Sequence, residues 1–452
     1  MRHLPTIVFV ISLMFLAFVG GAVMTVSETY PAPLIRDAYR GGMALYDKLT
    51  RYTDPYTTDL WSKQRTEDRG VTRHLPDKAR AGLTLYTSGH AAKATLVDMN
   101  GEPVHEWERP FSSIWDASAA TDDPVSDHQI YFRKAHVFPN GDLLALYEGV
   151  GDTPYGYGMA RLDVDSSLLW KNLDNLHHDF DVADDGHIAA LAHGVRTTGL
   201  KGADQFEPPF LEDSLVILSP KGKTLTKFSL LEAINDSDYR RYLWRVPYYS
   251  LADPLHANGV DYLDRDDAER LARKIPEAAP GQVLVSFREL AGGSVALVDV
   301  EAETVVWASR GPWLAQHDPD ILPNGNLLVF DNRGHFGAGG KSRIVEVDPA
   351  TGAIEWVYAG DENAPLESLI RAAVERQSNG NTLITESSGG RLLEVTTAGE
   401  IVWEYVNPIR GGEANARIPV ISYGQRIPPD RLSAPFRARI APTTTAREEH
   451  TP

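Results

Sequence analysis

Residues 372–403 read AAVERQSNGNTLITESSGGRLLEVTTAGEIVW and contain one complete copy of the repeat that decides the fold. The segment has a short β-like run, a turn at Asn379-Gly380, a second apolar run, and a further pair of runs that ends at Trp403. Asn-Gly and similar glycine-containing turns supply the backbone conformations that tight hairpins need. The segment therefore predicts four short antiparallel strands.

The same pattern occurs six times along the chain, and each copy ends in Trp or Phe. The second halves of the copies are residues 96–107, 161–170, 217–228, 297–307, 346–356 and 394–403. Units of four short strands repeated at roughly 50 residues are typical of β-propellers, in which each unit forms one blade. We predict an all-β, six-bladed β-propeller over residues 81–430, preceded by an N-terminal transmembrane helix.

The first copy has no run that could serve as its innermost strand. The run PVISYGQRI at residues 419–427 follows the sixth copy and has the composition of a strand. Pairing of this run with the first blade would close the ring and leave no blade incomplete. We therefore predict that the C-terminal part of the chain completes the first blade.

Residues 4–26 are uncharged and mostly apolar, and Arg2 precedes them. A helix of this length extends about 35 Å, which is enough to cross a hydrocarbon core of about 30 Å. Cleavable signal peptides usually have a shorter apolar stretch, so we favour an uncleaved membrane anchor over a cleaved signal. By the positive-inside rule, Arg2 places the rest of the chain outside the cytoplasm, on the periplasmic side. Cleavage would instead give a secreted protein.

These limits give the predicted domain organisation. Residues 1–27 are the membrane anchor or signal, residues 28–80 a stalk or strap, and residues 81–430 the propeller. Residues 431–452 are a tail that we expect to be flexible.

The composition excludes several classes of function. Lys and Arg number 44 against 62 Asp and Glu, which gives a net charge of −18. Nucleic-acid binding needs clustered cationic charge, so we expect no nucleic-acid partner. Because the chain has no cysteine, it cannot form disulfides, zinc–thiolate sites, iron–sulfur clusters or a cysteine nucleophile. No feature of the sequence indicates an oligomeric state.

Three histidines occupy matching positions in the predicted blades. His178 and His317 each lie eight residues before the turn glycine of their copy, and His256 opens the fourth copy at about the same level. Because the first strands of all blades start at one mouth of the central channel, we expect these side chains to converge there. Imidazole acts as a nucleophile or as a general acid and base near neutral pH. We predict that His178, His256 and His317 are catalytic.

Arginines are predicted at the same mouth, where second strands return to it. We expect three of them to bind an anion, namely Arg196, Arg288 and Arg333. Two unit charges about 4 Å apart interact by roughly 4 kcal/mol at an effective dielectric near 20, so a local cationic cluster can hold an anion in an acidic protein.

Three histidines could ligate zinc or copper, but their spacing contains no local metal motif. We therefore predict no metal and no cofactor.

Three segments of the sequence resemble the bacterial aryl-sulfate sulfotransferase family of six-bladed propellers. They are DPLHANGVDYL at 253–263, AQHDPDILPNGNLLVFDNRG at 315–334 and SNGNTLITESSGGRLLEVTTAGEIVWEYVNP at 378–408. The resemblance implies export to the bacterial envelope and transfer of a sulfuryl group from one phenolic sulfate ester to another phenol, through a transiently sulfated histidine. It also implies that the partner is a small phenolic or sulfated molecule.

Individual positions of the family motif are matched in part. His317 resembles a family active-site histidine, Arg333 resembles the sulfate-binding arginine, and His178 in HHDFD matches a further histidine. The sequence departs from the family in the last blade, where the sulfated histidine is expected and Arg371-Ala372-Ala373 stands instead. Either another histidine, such as His256 or His317, is the nucleophile, or the transfer activity is altered or absent.

Two other classes of protein are considered. A non-catalytic anchored propeller would bind an anionic ligand or a partner protein, and the missing last-blade histidine favours this alternative. A quinone-cofactor dehydrogenase would also have blades that end in Trp, but such enzymes tend to have more blades and a calcium site. We find no cluster of acidic ligands in the sequence that indicates one.

Overall fold

The computed structural model describes residues 3–27, 29–32, 34, 35, 38, 54–333, 341–362 and 364–441. The chain divides into two compact units, Met1–Thr57 and Thr58–Pro452. Most of residues 28–53 of the predicted stalk and residues 442–452 of the predicted tail lie outside the described residues.

The first unit contains the helix α1, Leu4–Val26. Its 23 residues are long enough and apolar enough to cross a membrane, and none of its side chains is buried within the structure. The predicted N-terminal apolar helix is therefore present.

The second unit consists mainly of strands. The first thirteen are β1 Trp61–Lys63, β2 Gly70–His74, β3 Leu83–Ser88, β4 Lys93–Val97, β5 Pro103–Glu108, β6 Ile130–Val137, β7 Leu143–Gly149, β8 Gly156–Leu162, β9 Leu168–Asn172, β10 Leu176–Val182, β11 Ile188–Arg196, β12 Phe210–Leu218 and β13 Thr224–Ser229. The others are β14 Ala257–Tyr262, β15 Gln282–Phe287, β16 Ser294–Asp299, β17 Thr304–Ser309, β18 His317–Ile321, β19 Leu327–Asp331, β20 Arg343–Val347, β21 Ile354–Tyr358, β22 Ala373–Arg376, β23 Thr382–Glu386, β24 Arg391–Val395, β25 Ile401–Val406, β26 Arg417–Pro419 and β27 Ile421–Ile427. Short helices are α2 Leu230–Asn235, α3 Arg265–Leu271 and α4 Ala434–Ile440.

All of these strands except β1 and β26 form six antiparallel sheets, which are the blades of a propeller, and β1 pairs with β26 in a separate two-stranded sheet. Blade 1 has the order β27-β3-β4-β5, and blades 2 to 5 each use four consecutive strands from β6 to β21. Blade 6 has the order β22-β23-β24-β25, and β2 adds a fifth strand at its outer edge. The predicted six-bladed β-propeller is confirmed.

The aromatic residue that ends each sequence repeat joins neighbouring blades. The indole of Trp107 in blade 1 donates a hydrogen bond of 3.0 Å to the carbonyl of Gly141 in blade 2. Trp403 in blade 6 donates in the same way to the carbonyl of Met99 in blade 1, also at 3.0 Å. An aromatic ring with one polar group can bury a large apolar area and still satisfy its N–H, as Trp107 and Trp403 do.

Strand β27 closes the ring, as predicted for residues 419–427. It pairs with β3 along its length and so supplies the innermost strand of blade 1. Arg426 on this strand is buried, and its Nη2 lies 3.0 Å from Oε2 of Glu394 in blade 6. Main-chain hydrogen bonds therefore hold β27 in blade 1, and a buried ion pair connects this blade to blade 6.

The chain after Arg431 packs on the propeller as far as it is described. The hydroxyl of Ser433 caps α4 by accepting a hydrogen bond from the backbone N–H of Phe436. The ring of Phe436 is buried and lies 6.1 Å from the ring of Trp107, centroid to centroid. Within the predicted tail, residues 434–440 therefore form a helix whose apolar ring packs against blade 1.

Candidate functional site

The innermost strands share a set of β-bulges that shape one region of the channel. Register shifts occur in β6, β10, β14, β18 and β27, at or beside Arg133, His178, Asn258, Asp318 and Ser422. A bulge inserts an unpaired residue and changes the direction of side chains around it. His178 and His256 have φ values of 53° and 46°, which are uncommon for residues other than glycine.

His256 is paired with a carboxylate. Its Nδ1 lies 2.5 Å from Oδ2 of Asp253, which belongs to the loop that leads into β14. Burial by itself would lower the pKa of His256, but the charge and hydrogen bond of Asp253 outweigh burial and raise the pKa above its usual value. His256 therefore holds a proton more firmly than a free imidazole does.

His178 lies against its chain neighbour His177. The two Nδ1 atoms are 2.8 Å apart, and the backbone N–H of His178 donates a 2.6 Å hydrogen bond to Oε1 of Glu148 on β7. Burial, followed by the nearby charge of His256, lowers the pKa of His178 well below its usual value. His178 is consequently a neutral ring at physiological pH.

His317 is held by the amide of Asn332, the residue that follows β19. Nδ1 of His317 lies 2.8 Å from Oδ1 of Asn332. Nδ2 of the same amide donates to the carbonyls of Ser368 and Arg371, at 2.8 and 3.0 Å. Because Oδ1 can only accept, we assign the hydrogen to Nδ1 of His317. The lone pair of this ring is therefore on Nε2.

The three predicted histidines lie together. The rings of His178 and His256 are 5.0 Å apart, centroid to centroid, in an edge-to-face arrangement. A positive charge on His256 or on His317 lowers the pKa of His178, and a positive charge on His256 also lowers the pKa of His317. The convergence expected from the spacing is present in the structure, while the catalytic roles stay a prediction.

Two arginines act on this cluster. Burial lowers the pKa of His317 well below its usual value, and the charges of Arg133 and Arg288 lower it further. The backbone N–H of Arg288 donates to the carbonyl of His256 at 3.1 Å. Arg133 occupies the position of blade 2 that is equivalent to His178, and its Nη1 donates to the carbonyl of Ser422 at 3.0 Å. Of the three predicted arginines, Arg288 is thus the one that acts on the cluster, together with Arg133. Each also faces a carboxylate, Glu289 at 3.4 Å and Glu148 at 3.8 Å.

The other two predicted arginines have different surroundings. Nη1 of Arg196 lies 2.5 Å from Oε1 of Glu212, and its Nη2 lies 3.0 Å from Oε1 of Glu232. Arg333 is exposed just after β19, and its neighbour Asn332 makes the contact with His317. The structure does not bring Arg196 to the histidines, because two carboxylates hold its guanidinium, and it leaves the side chain of Arg333 in solvent.

Blade 6 has an arginine network where the family histidine was expected. Nε of Arg371 donates to the hydroxyl of Tyr131 at 3.1 Å, and this hydroxyl donates to Oε2 of Glu148 at 2.7 Å. Glu148 also accepts from the backbone of His178. Arg371 is thus connected to His178 through two side chains, while the adjacent Ala372 offers no functional group.

A second histidine cluster adjoins His178 and resembles a metal site in composition. His177, His193 and Asp213 are buried and have potential ligand atoms within 4.8 Å of one another. However, the backbone N–H of Gly156 donates to Nε2 of His193 at 3.1 Å, so this lone pair is already used. The rings of His177 and His193 stack at 4.2 Å and 16°, and lone pairs in parallel ring planes do not converge on one ion. The arrangement fits a hydrogen-bonded cluster better than a metal site.

Sequence reasoning missed the partners that set the state of each histidine. Asp253 and Asn332 lie inside the segments DPLH and FDN, so the motifs contained them without indicating their role. His177 is the chain neighbour of the predicted His178, and nothing in the sequence indicated a role for Asp213. These partners become visible only when the blades are assembled.

The fold and the site define the class of protein: a six-bladed propeller with a cluster of histidines and arginines on its innermost strands. The chain matches the family model described as arylsulfotransferase (ASST) over residues 134–408, which is more than half of its length. The protein therefore belongs to the arylsulfotransferase family.

Solved structures with similar folds are distant in sequence. A protein of unknown function from Bacteroides caccae has 13% identity and a TM-score of 0.47, with 77% of this chain and 99% of that chain covered. A catalytically inactive virginiamycin B lyase from Staphylococcus aureus, solved with quinupristin, has 11% identity and a TM-score of 0.35, with 68% and 88% covered. The WD40 propeller of Doa1 has 11% identity and a TM-score of 0.37, with 74% and 77% covered. No curated protein matches the sequence significantly.

Proposed function

We propose that this protein transfers a sulfuryl group from a phenolic sulfate ester to a second phenol, by way of a sulfated histidine. Family membership supports a transferase in general. The observation that carries the proposal is the difference between the partners of two rings: a carboxylate oxygen of Asp253 faces Nδ1 of His256, whereas an amide oxygen of Asn332 faces Nδ1 of His317. The pKa of His256 is accordingly raised and that of His317 is lowered. Neighbouring groups whose environments drive their pKa values apart are suited to separate acid and nucleophile roles.

His317 is the proposed nucleophile. Its ring is neutral, and the contact with Asn332 leaves the lone pair on Nε2. Nε2 attacks sulfur and forms an N–S bond, while the S–O bond to the donor breaks and the donor leaves as a phenolate with the bonding electrons. Arg288 and Arg133 stabilise the negative charge of the sulfuryl oxygens.

His256 is the proposed acid for the donor. Asp253 keeps the ring protonated, and the proton passes to the departing phenolate oxygen. In the second half of the reaction, the acceptor phenol attacks sulfur and the N–S bond to His317 breaks. The proton of the acceptor hydroxyl goes to a neutral histidine beside it, either His256 or His178.

The test is a transfer assay with intermediate trapping. Purified full-length protein is mixed with nitrophenyl sulfate and a phenol acceptor, and quenched samples are analysed by mass spectrometry for sulfated peptides. We expect sulfated acceptor, a modified peptide that contains His317, and loss of both in His317→Ala. His187→Ala is the matched control, because this exposed histidine pairs only with exposed Asp185. An inactive wild type, or full activity in His317→Ala, would contradict the proposal.

A second candidate function is a non-catalytic propeller that binds an aryl sulfate. The specific observation in its favour is Ala372, which stands where the family histidine was expected. Equilibrium binding of nitrophenyl sulfate without release of nitrophenol would support this candidate. A burst of nitrophenol would rule it out.

We also propose that α1 anchors the propeller on the non-cytoplasmic face of a membrane. The length and apolar composition of α1 support an anchor or a signal peptide. Sequencing the N-terminus of the mature protein separates the two, because an anchor keeps residues 4–26. Proteolysis of intact and permeabilised cells then tests the side of the membrane.

A further inference from the structure

Asp213, His177 and His178 form a line of contacts that the proposed reaction does not yet use. Oδ1 of Asp213 lies 3.3 Å from Nε2 of His177, and Nδ1 of His177 lies 2.8 Å from Nδ1 of His178. Asp213 and His177 are only 3% and 0% exposed, and His178, at 9%, is the member of the line that reaches the channel. The line therefore runs from the interior of blade 3 to the histidine site.

The contacts determine which nitrogen carries hydrogen. A neutral imidazole has one N–H donor and one lone pair, and a carboxylate only accepts. With Asp213 facing Nε2 of His177, that nitrogen carries the hydrogen and Nδ1 of His177 is the acceptor. His178 must then donate through Nδ1, so its lone pair is on Nε2. All three site histidines thereby carry hydrogen on Nδ1.

Asp213 is itself held in place. Its Oδ2 accepts a 2.7 Å hydrogen bond from the backbone N–H of Ala257, the residue after His256. Nε2 of His177 is buried and has no well-directed hydrogen bond, although the Asp213 oxygen is 3.3 Å away. The carboxylate of Asp213 would attract a positive charge that His177 receives during the reaction.

We propose that Asp213 and His177 are positioning residues that prepare His178 to accept the proton of the acceptor phenol. This inference rests on the proposed sulfuryl transfer. The phenol proton moves to Nε2 of His178, and the hydrogen on Nδ1 of His178 moves to Nδ1 of His177. His177 keeps its Nε2–H and carries the positive charge next to Asp213. The proton balance closes when Nδ1 of His177 returns its hydrogen to Nδ1 of His178 and the hydrogen on Nε2 of His178 passes to His256, whose ring is 5.0 Å away.

The first test compares the two halves of the reaction in full-length variants. His177→Gln and Asp213→Asn interrupt the line, whereas His193→Gln removes a ring that stacks on His177 but does not belong to the line. We expect the burst of nitrophenol, which reports the donor half, to be retained in all three. Steady-state kcat should fall about tenfold or more in the first two variants, with KM for the aryl sulfate changed less than about twofold. His193→Gln should keep kcat within about threefold of the wild type.

The same loss of kcat in all three variants would contradict the proposed proton transfer from His178 to His177. Equal losses in His193→Gln and His177→Gln, or loss of the burst together with kcat, would indicate a purely structural role for the cluster. A metal ion bound in equimolar amount by the wild type and lost in His177→Gln would also overturn the proposal.

The second test does not depend on activity. Nitrogen NMR spectra of histidine-labelled full-length protein report the tautomer of each ring, and the signal of His178 is assigned by its loss in His178→Gln. We expect hydrogen on Nδ1 of His178, and a shift of this signal in Asp213→Asn. Hydrogen on Nε2 would refute the proposed proton transfer. If the wild type releases no nitrophenol, the proposed function fails while this measurement still decides the tautomer.

Discussion

Nδ1 of His256 lies 2.5 Å from Oδ2 of Asp253, and this contact sets His256 apart from the other two site histidines. All three rings are removed from water, which disfavours the charged form of each. Only His256 has a carboxylate hydrogen-bonded to its ring in compensation. Environment thus divides three chemically identical side chains into one proton donor and two neutral rings.

Asp253→Asn should weaken acid catalysis. The variant keeps an oxygen that can accept from Nδ1 but removes the charge that raises the pKa of His256. We expect the alkaline limb of the profile of kcat/KM against pH to move to lower pH, with a loss of about tenfold or more at neutral pH. Asp185→Asn is the matched control, because it removes a carboxylate from the exposed pair with His187. An unchanged alkaline limb in Asp253→Asn would refute the assignment of His256 as the acid.

Arg288→Ala should weaken binding of the anionic donor. Hydrogen bonds to charged groups contribute about 1.5–3 kcal/mol, so we expect KM for nitrophenyl sulfate to rise about tenfold or more. Arg196→Ala should leave KM within about twofold, since Glu212 and Glu232 already hold that guanidinium. If KM rises more in Arg333→Ala than in Arg288→Ala, the arginine that binds the anion is Arg333, as the family resemblance implies.

Arg426→Met should destabilise the ring closure. Both partners of the Arg426–Glu394 pair are fully buried, so the substitution leaves a carboxylate without its cation inside the protein. Breaking such a pair costs about 3–5 kcal/mol, measured as the free energy of unfolding in denaturant. Lys78→Met, which breaks the exposed pair with Glu400, is the matched control and should leave the unfolding midpoint unchanged. Equal effects of the two substitutions would mean that the buried pair does not hold the ring closed.

Glu375→Gln should stabilise the protein at alkaline pH. Burial raises the pKa of Glu375 to about 7, against about 4.3 for an unfolded glutamate. Between these values the folded state binds more protons than the unfolded state, so this residue lowers the free energy of unfolding as pH rises through that window. The amide still accepts from the backbone of Arg426 but does not titrate.

Denaturant unfolding at several pH values measures this effect. Glu375→Gln should be roughly 2–4 kcal/mol more stable than the wild type near pH 8 and nearly equal to it near pH 4. The exposed Glu301→Gln should follow the wild type at both pH values. A constant difference between Glu375→Gln and the wild type across this range would show that Glu375 does not titrate there.

The repeats were sufficient to predict the architecture. A four-stranded unit cannot bury both faces alone, so six copies that each end in an aromatic residue require neighbours on both sides. The indole bonds of Trp107 and Trp403 across blade boundaries show what this residue does. The strand at residues 419–427 was predictable for the same reason, since an incomplete first blade needs a partner from elsewhere in the chain.

The site was only partly predictable. Matching distances from turn glycines placed His178 and His317 at one level, and His256 opens the fourth copy at about the same level. Equivalent positions in equivalent blades lie on one ring, so the three side chains were expected together. The same reasoning failed for Arg196, since strand position does not reveal the two carboxylates that hold its side chain.

The sequence by itself determined the number of blades, the apolar N-terminal helix and the level at which the histidines lie, because each follows from periodicity or local composition. Only the tertiary structure decided which histidine is protonated, which tautomer each adopts and which arginines act on them. These properties depend on burial and on groups within a few ångströms, such as Asn332 beside His317 and Asp213 beside His177. Such neighbours come from other strands and blades, and no spacing along the chain encodes those distances.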